Sequence, residues 1–310
     1  MKSHNLITMD DVTVDEIHAI LETAQSFKEV NERAIKKLPT LRGFTVINVF
    51  LEPSTRTRTS FEIAGKRLGA DVINFSASGS ATVKGESLAD TAATLDAMAC
   101  DIAIVRHKYS GAPAILAQRM RAHIINGGDG MHQHPTQTLL DLFTLKEHLG
   151  DLEGKTIGIV GDIAHSRVAG SLAPGLKMMG ANPLFIAPPT YLPAAPEQLG
   201  AQAIHSLDEV LGDLDAVYLL RVQGERADGT AVPSMREYAS LFGMNRARMN
   251  ALADHAIVLH PGPMNRGIEI SADVADDPRT VVLEQVSAGV AVRMALMYLM
   301  MGGDQNGATS

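Results

Sequence analysis

The sequence predicts an α/β protein of two domains, each a parallel sheet flanked by helices, with a C-terminal helix returning to the first domain. Three observations carry this. Apolar strand-like runs recur at 44–50, 71–75, 102–105, 123–126, 156–160, 182–186, 216–220, 256–259 and 280–283. Helix-period segments separate most of them, as parallel βαβ units require. The length of 310 residues suffices for two cores of about 150 residues each.

The elements follow in order. A first helix over 13–35 places Ile17, Ile20, Leu21, Ala24, Phe27 and Val30 on one face. Helical spacing recurs at 57–69, 86–98, 113–121, 166–180 and 245–253. His134 to His148 reads as a helix with Pro135 in its first turn, where the missing N–H costs nothing. Gly150-Asp-Leu-Glu-Gly154 then reads as a linker into Lys155-Thr-Ile-Gly-Ile-Val-Gly161, so the boundary falls near 135–152. The domains are expected at 1–149 joined by 286–310, and at 150–285, with Ala288–Met301 as the returning helix.

Composition bounds the function. Hydrophobic residues at 45% and charged residues at 20% describe a globular chain. A net charge of −8 argues against non-specific nucleic-acid binding, so an anion site must be built from locally clustered cations. The single cysteine, Cys100, allows neither a disulfide framework nor a cysteine-based zinc site. Met1-Lys-Ser-His-Asn-Leu-Ile-Thr8 has no apolar signal core, and no run reads as a membrane span of about 18 residues. A soluble, cytoplasmic protein that binds neither nucleic acid nor membrane is expected.

In open α/β sheets, ligands bind beyond the carboxyl ends of strands. The densest signal there is Phe50-Leu-Glu-Pro-Ser-Thr-Arg-Thr-Arg-Thr-Ser-Phe61, a strand, a hydroxyl- and arginine-rich turn and a helix start. A helix N-terminus offers unpaired N–H groups and a positive dipole end. Ser54, Thr55, Arg56 and Thr57 add donors for a phosphate at that point. N-capping with solvated arginines accounts for one hydroxyl and one arginine, not for three hydroxyls and two arginines in the five residues 54–58. Other strand ends carry Arg106, His134 with Gln137 one helical turn on, Arg167, Arg221 with Gln223, and His260-Pro-Gly-Pro263. Gly158-Ile-Val-Gly161 lacks the full dinucleotide fingerprint, and His165-Ser-Arg167 occupies the place of close pyrophosphate approach.

Together Ser54-Thr-Arg-Thr-Arg58, Lys84-Gly-Glu-Ser-Leu-Ala-Asp-Thr91, His134-Pro-Thr-Gln137, Arg167, Arg221-Val-Gln223 and His260-Pro-Gly-Pro263 resemble the aspartate carbamoyltransferase family, across nearly the whole chain. The ornithine branch typically carries a His-Cys-Leu-Pro element where this chain has His260-Pro-Gly-Pro263.

The resemblance implies a first domain for carbamoyl phosphate, a second for L-aspartate, and transfer of the carbamoyl group to the aspartate amine without a cofactor or metal. It implies that Ser54, Thr55, Arg56 and Thr57 hold the phosphate, and that Thr57, Arg106 and His134 surround the carbonyl oxygen. Arg56, Thr57, Arg106 and His134 are thus the expected catalytic set. Gln137 and the backbone around Gly262 and Pro263 would contact the carbamoyl amide, while Lys84, Arg167, Arg221 and Gln223 would hold aspartate. Ser80 and Lys84 would come from the adjacent subunit of a homotrimer. A separate regulatory chain or a dihydroorotase-like partner also belongs to what the resemblance implies. Val83 stands where some relatives have a second lysine, and His260–Gly267 is the longer bacterial form of its loop.

Overall fold

The computed structural model describes residues 3–76, 87–222 and 234–303. It divides into two compact units, Met1–Leu140 with Ser287–Ser310, and Asp141–Val286. The division falls inside a helix, Pro135–Leu149, which gives Pro135 to Leu140 to one unit and the remainder to the other.

The first unit contains α1 (Val14–Glu32), β1 (Thr45–Phe50), α2 (Thr55–Arg67), β2 (Asp71–Ser76), α3 (Leu88–Ala97), β3 (Ile102–His107), α4 (Ala112–Ala117), β4 (His123–Asp129) and the start of α5 (Pro135–Leu149). Thr13 starts α1 with a reciprocal cap: its side chain accepts from the Glu16 N–H at 3.3 Å, and Glu16 accepts from the Thr13 N–H at 3.0 Å. The six apolar residues expected on the inner face of α1 are all buried. Each large aliphatic or aromatic one contributes about 1.5–3 kcal/mol relative to exposure.

Its sheet is parallel, in the order β2-β1-β3-β4. Ile102, Ala103, Ile104 and Val105 of the inner strand β3 are fully buried. Such a strand is covered on both faces, which explains an unbroken apolar run in place of alternation. The order places β1 and β3 side by side with their continuations running to opposite edges. The switch point of this sheet therefore lies between the ends of β1 and β3.

The second unit continues with β5 (Thr156–Val160), α6 (Arg167–Met178), β6 (Asn182–Ile186), β7 (Gln202–Ile204), β8 (Ala216–Leu219), α7 (Met235–Phe242), α8 (Arg246–Ala251), β9 (Ile257–Leu259), α9 (Ala272–Ala275) and the start of α10 (Val282–Met300). Its parallel sheet runs β7-β6-β5-β8-β9, which puts the switch point between β5 and β8.

Two expectations are corrected, and two elements went unread. The run 280–283 is not a strand: Thr280 makes one isolated bridge to Val258, and α10 begins at Val282. Its β-branched residues gave the strand signal, but the edge pairing with β9 stops after the Val281 N–H bonds Val258 O at 3.0 Å. By length and composition α10 could cross a membrane, against the reading that no run approaches that length. With 67% of its most apolar window buried inside the protein, it is a core helix here. Finally, β7 and α7 were not read from the sequence. A strand of three residues shows no usable period.

From residue 287 onward α10 belongs to the first unit. Its Arg293 donates to the Ser60 hydroxyl at 2.7 Å and lies over the Phe61 ring, 4.9 Å from the centroid. Tyr298 meets Phe27 of α1 edge to face, with centroids 5.7 Å apart. The last helix thus braces α2 from behind.

Candidate active site

In the first unit the expected phosphate residues form the first turn of α2, just beyond β1. Thr13, Ser87, Ser166 and Ser234 each cap their helices by accepting a backbone N–H; the Ser54 side chain makes no such bond at α2. The first turn of α2 also carries no acid. Thr55 and Arg56 are exposed, while Thr57 is buried. This end of the helix presents N–H groups, hydroxyls and a guanidinium with no competing carboxylate on its own turn, as an anion site requires.

Arg106 lies across the switch point from that turn. Phe50 pairs with Arg106 in the sheet, and the Leu51 N–H donates to Arg106 O at 2.9 Å. The pairing of β3 with β4 shifts register between Val105 and His107, and such an irregularity redirects a side chain at a strand end. Arg106 Nη1 donates to Gly127 O at 3.0 Å, and Nη2 lies 3.5 Å from Glu52 Oε1. Beside it, burial pulls the His107 imidazole below its ordinary pKa, and its Nδ1 accepts the Tyr109 N–H at 3.0 Å.

His134 and Gln137 sit at the start of α5, both buried, and the Gln137 N–H donates to His134 O at 2.9 Å. What holds His134 there was not read from the sequence. Asp129, fully buried at the end of β4, accepts from the Gly111 N–H at 2.7 Å, the Asn126 amide at 2.8 Å and the Gln133 N–H at 3.2 Å. His132, read as plain loop, reaches the same carboxylate at 3.1 Å. Gly130 passes so close to Ser110 that a Cβ would meet its backbone nitrogen at 2.7 Å, at a φ of +50°. Asp129 therefore ties the 130–134 loop to two neighbouring segments. The acid of a Gly-Gly-Asp-Gly turn is the signal that could have found it.

In the second unit Arg167 opens α6, with Ser166 as its N-cap accepting from the Ala169 N–H at 3.2 Å. Asp162 and His165 pair at 2.7 Å in the preceding loop. Arg221 follows β8, the neighbour of β5. Gly161, at φ +132°, lets these strand ends approach: a Cβ there would meet Leu220 O at 3.0 Å. Arg167 and Arg221 thus flank the switch point of the second sheet, as Ser54–Thr57 and Arg106 flank that of the first. Gly262 and Pro263 lie in the turn after β9, the next strand beyond β8. Ser80, Lys84 and Gln223 lie outside the described residues.

Two family models account for both units. Residues 4–147 match the aspartate/ornithine carbamoyltransferase carbamoyl-P binding domain, and residues 153–300 match the Asp/Orn binding domain. The chain belongs to the aspartate/ornithine carbamoyltransferase family. Among this family it is 54% identical to the aspartate carbamoyltransferase catalytic subunit of Acidothermus cellulolyticus, over 97% of this chain and 93% of that one. The corresponding subunit of Syntrophotalea carbinolica is also 54% identical, with 97% and 96% covered. Among solved structures, Trypanosoma cruzi aspartate transcarbamoylase in complex with carbamoyl phosphate and aspartate superposes with a TM-score of 0.85 at 30% identity, covering 95% of each chain. The catalytic subunit of M. jannaschii aspartate transcarbamoylase gives 0.84 at 36% identity, covering 97% and 99%.

Proposed function

We propose that this protein transfers the carbamoyl group of carbamoyl phosphate to the amine of L-aspartate, giving N-carbamoyl-L-aspartate and phosphate, a step of de novo pyrimidine biosynthesis. One observation carries the choice of acceptor: two arginines, Arg167 and Arg221, flank the switch point of the second sheet. A planar guanidinium binds a carboxylate through two parallel bonds, so the pair suits a dicarboxylate. Ornithine offers a single carboxylate and a second amine, which arginine repels. The names of the relatives at 54% identity support the same reading.

The uncharged amine of aspartate attacks the carbamoyl carbon, a C–N bond forms, and the bond from that carbon to the bridging oxygen breaks from a tetrahedral intermediate, the oxygen leaving with the phosphate. The departing phosphate takes the amine proton. The protein's task is to align two reactants and to stabilise the oxyanion that develops on the carbonyl oxygen. Ser54, Thr55, Arg56 and Thr57 hold the phosphate. Thr57, Arg106 and His134 donate to the carbonyl oxygen, and Gln137 and the backbone at Gly262 and Pro263 serve the amide. Arg167 and Arg221, with Gln223, take the aspartate carboxylates. Nothing in this chemistry calls for a cofactor.

The finer reading extends to assembly: a cytoplasmic homotrimer in which Ser80 and Lys84 enter the adjacent subunit's site, with a regulatory chain or a dihydroorotase-like protein as further partners. The test is phosphate release from carbamoyl phosphate by the purified chain, with L-aspartate or L-ornithine as acceptor. Release with aspartate alone is expected. Release with ornithine alone moves the chain to the sister branch, and release with neither removes the catalytic reading.

A further inference from the structure

The long loop after β9 is built around a buried pair. His260 and Glu269 are both nearly inaccessible, their side chains 0% and 1% exposed, with His260 Nε2 3.2 Å from Glu269 Oε1. The other ring nitrogen, Nδ1, accepts the Gly262 N–H at 2.7 Å. An accepting Nδ1 leaves the proton of the neutral imidazole on Nε2, so Nε2 donates to Glu269. Glu269 Oε1 also accepts the Asn265 N–H at 2.5 Å. Asn265 in turn donates its side-chain amide to Val222 O at 3.2 Å, one residue beyond Arg221. From the other side, the His260 N–H donates to Gln285 Oε1 at 2.9 Å, and Gln285 donates to the buried Asp141 at 2.7 Å.

We infer that Glu269 is a positioning residue: one carboxylate oxygen, acting through His260 and Asn265, sets both the 260–263 turn and the chain beside Arg221. The inference rests on the reading of those two segments as substrate contacts. It assigns a use to the extra length of the His260–Gly267 loop. A shorter connection could close the turn, but the added residues bring Asn265 across to Val222 and tie the two segments to one anchor. Neither the His260 nor the Glu269 side chain is among the groups read as substrate contacts. They act by fixing where backbone groups point, and errors of an ångström in such groups lower rates by large factors.

The two oxygens of Glu269 are not equivalent. Oε1 takes both bonds, whereas Oε2 is buried with no hydrogen-bond partner among the described residues. Glu269→Gln can keep an oxygen at the Oε1 position and places its amide at the other. It should melt at a lower temperature yet retain both Michaelis constants within about twofold. Glu269→Leu, which removes the acceptor at similar volume, should raise KM for carbamoyl phosphate and for aspartate about tenfold each. Asn265→Ala, on a more open part of the loop, should raise KM for aspartate alone, about threefold.

The experiment is steady-state phosphate release by the full-length chain and these three variants, with amide hydrogen exchange at Gly262 and Asn265 measured on the same samples without substrate. Faster exchange in Glu269→Leu and normal exchange in Glu269→Gln, together with the KM pattern, bear the inference out. Unchanged KM values in a folded Glu269→Leu overturn it, as does a Glu269→Gln impaired as badly as the leucine variant. If Glu269→Leu does not fold, an unchanged aspartate KM in Asn265→Ala overturns it. A wild-type chain inactive with aspartate refutes the proposed function, while the exchange pattern still decides whether Glu269 anchors the loop.

Discussion

Arg106 and Glu52 form an ion pair at the ends of neighbouring strands, with Nη2 and Oε1 3.5 Å apart and side chains only 11% and 17% exposed. The bond from Nη1 to Gly127 O fixes the other arm of the guanidinium, so Arg106 is held from two sides before any substrate arrives. Preorganised donors of this kind need no rearrangement as charge develops. Arg106→Ala or His134→Ala should lower turnover by about 10²–10³ at saturating substrate. Glu52→Gln leaves the guanidinium in place and should cost about tenfold at most. Steady-state phosphate release checks both, and near-normal turnover in Arg106→Ala would exclude the oxyanion role.

Arg221→Ala should raise KM for aspartate by at least about tenfold and leave carbamoyl phosphate binding nearly unchanged, since a charge-assisted bond to a carboxylate contributes about 1.5–3 kcal/mol. Initial rates at varied aspartate, with separate titration of carbamoyl phosphate binding, divide the two effects. An unchanged aspartate requirement would remove Arg221 from the acceptor site.

Asp129 gathers donors from Gly111, Asn126, Gln133 and His132 around one buried carboxylate. In Asp129→Asn one oxygen becomes an amide facing donors, so the variant should lose about 2 kcal/mol or more. It should also lose turnover as the loop leading to His134 loosens. His132→Ala removes only a half-exposed partner and should change stability by less than about 0.5 kcal/mol. Thermal melting of the two variants separates the carboxylate from its outermost ligand.

Burial pushes the Asp215 carboxyl up, but the Thr156 N–H, the His255 ring and the Lys155 ammonium outweigh it and hold its pKa below the ordinary value. A folded pKa below the unfolded one means that the unfolded chain binds more protons in that range. The stability this group supplies is then full above the unfolded value of about 3.9 and lost as pH falls through the folded one. The stability gap between wild type and Asp215→Asn should therefore be constant near neutrality and shrink below about pH 4. Denaturant melts at several pH values check the sign; a gap that widens in acid would contradict it.

The parallel strands were legible because inner strands are covered on both faces, so runs such as Ile102–Val105 stand out as unbroken apolar segments. Arg106 and Arg221 were legible because they follow those runs directly, and Arg56, His134 and Arg167 because they stand at the helix starts just beyond them. The supports behind them were not. Asp129 draws Gly111 from 18 residues away, and Glu269 meets His260 across a loop in which neither shows any period. Local pattern carries no information about partners joined only by the fold. The misread segment 280–283 has the same origin: Thr280, Val281 and Val282 favour a strand locally, and the helix that follows takes over at Val282.

The bracing of α2 by Arg293 has a consequence for biosynthesis. The helix that bears Thr55, Arg56 and Thr57 is backed by a segment synthesised only after the whole of the second unit. While the ribosome is still translating, the second unit can close upon itself, but the first waits without the Arg293 contact behind α2. Domains generally fold from the N-terminus onward during synthesis. Here the contact that backs α2 can form only once the last helix has been made, so the turn bearing Thr55, Arg56 and Thr57 gains that support last.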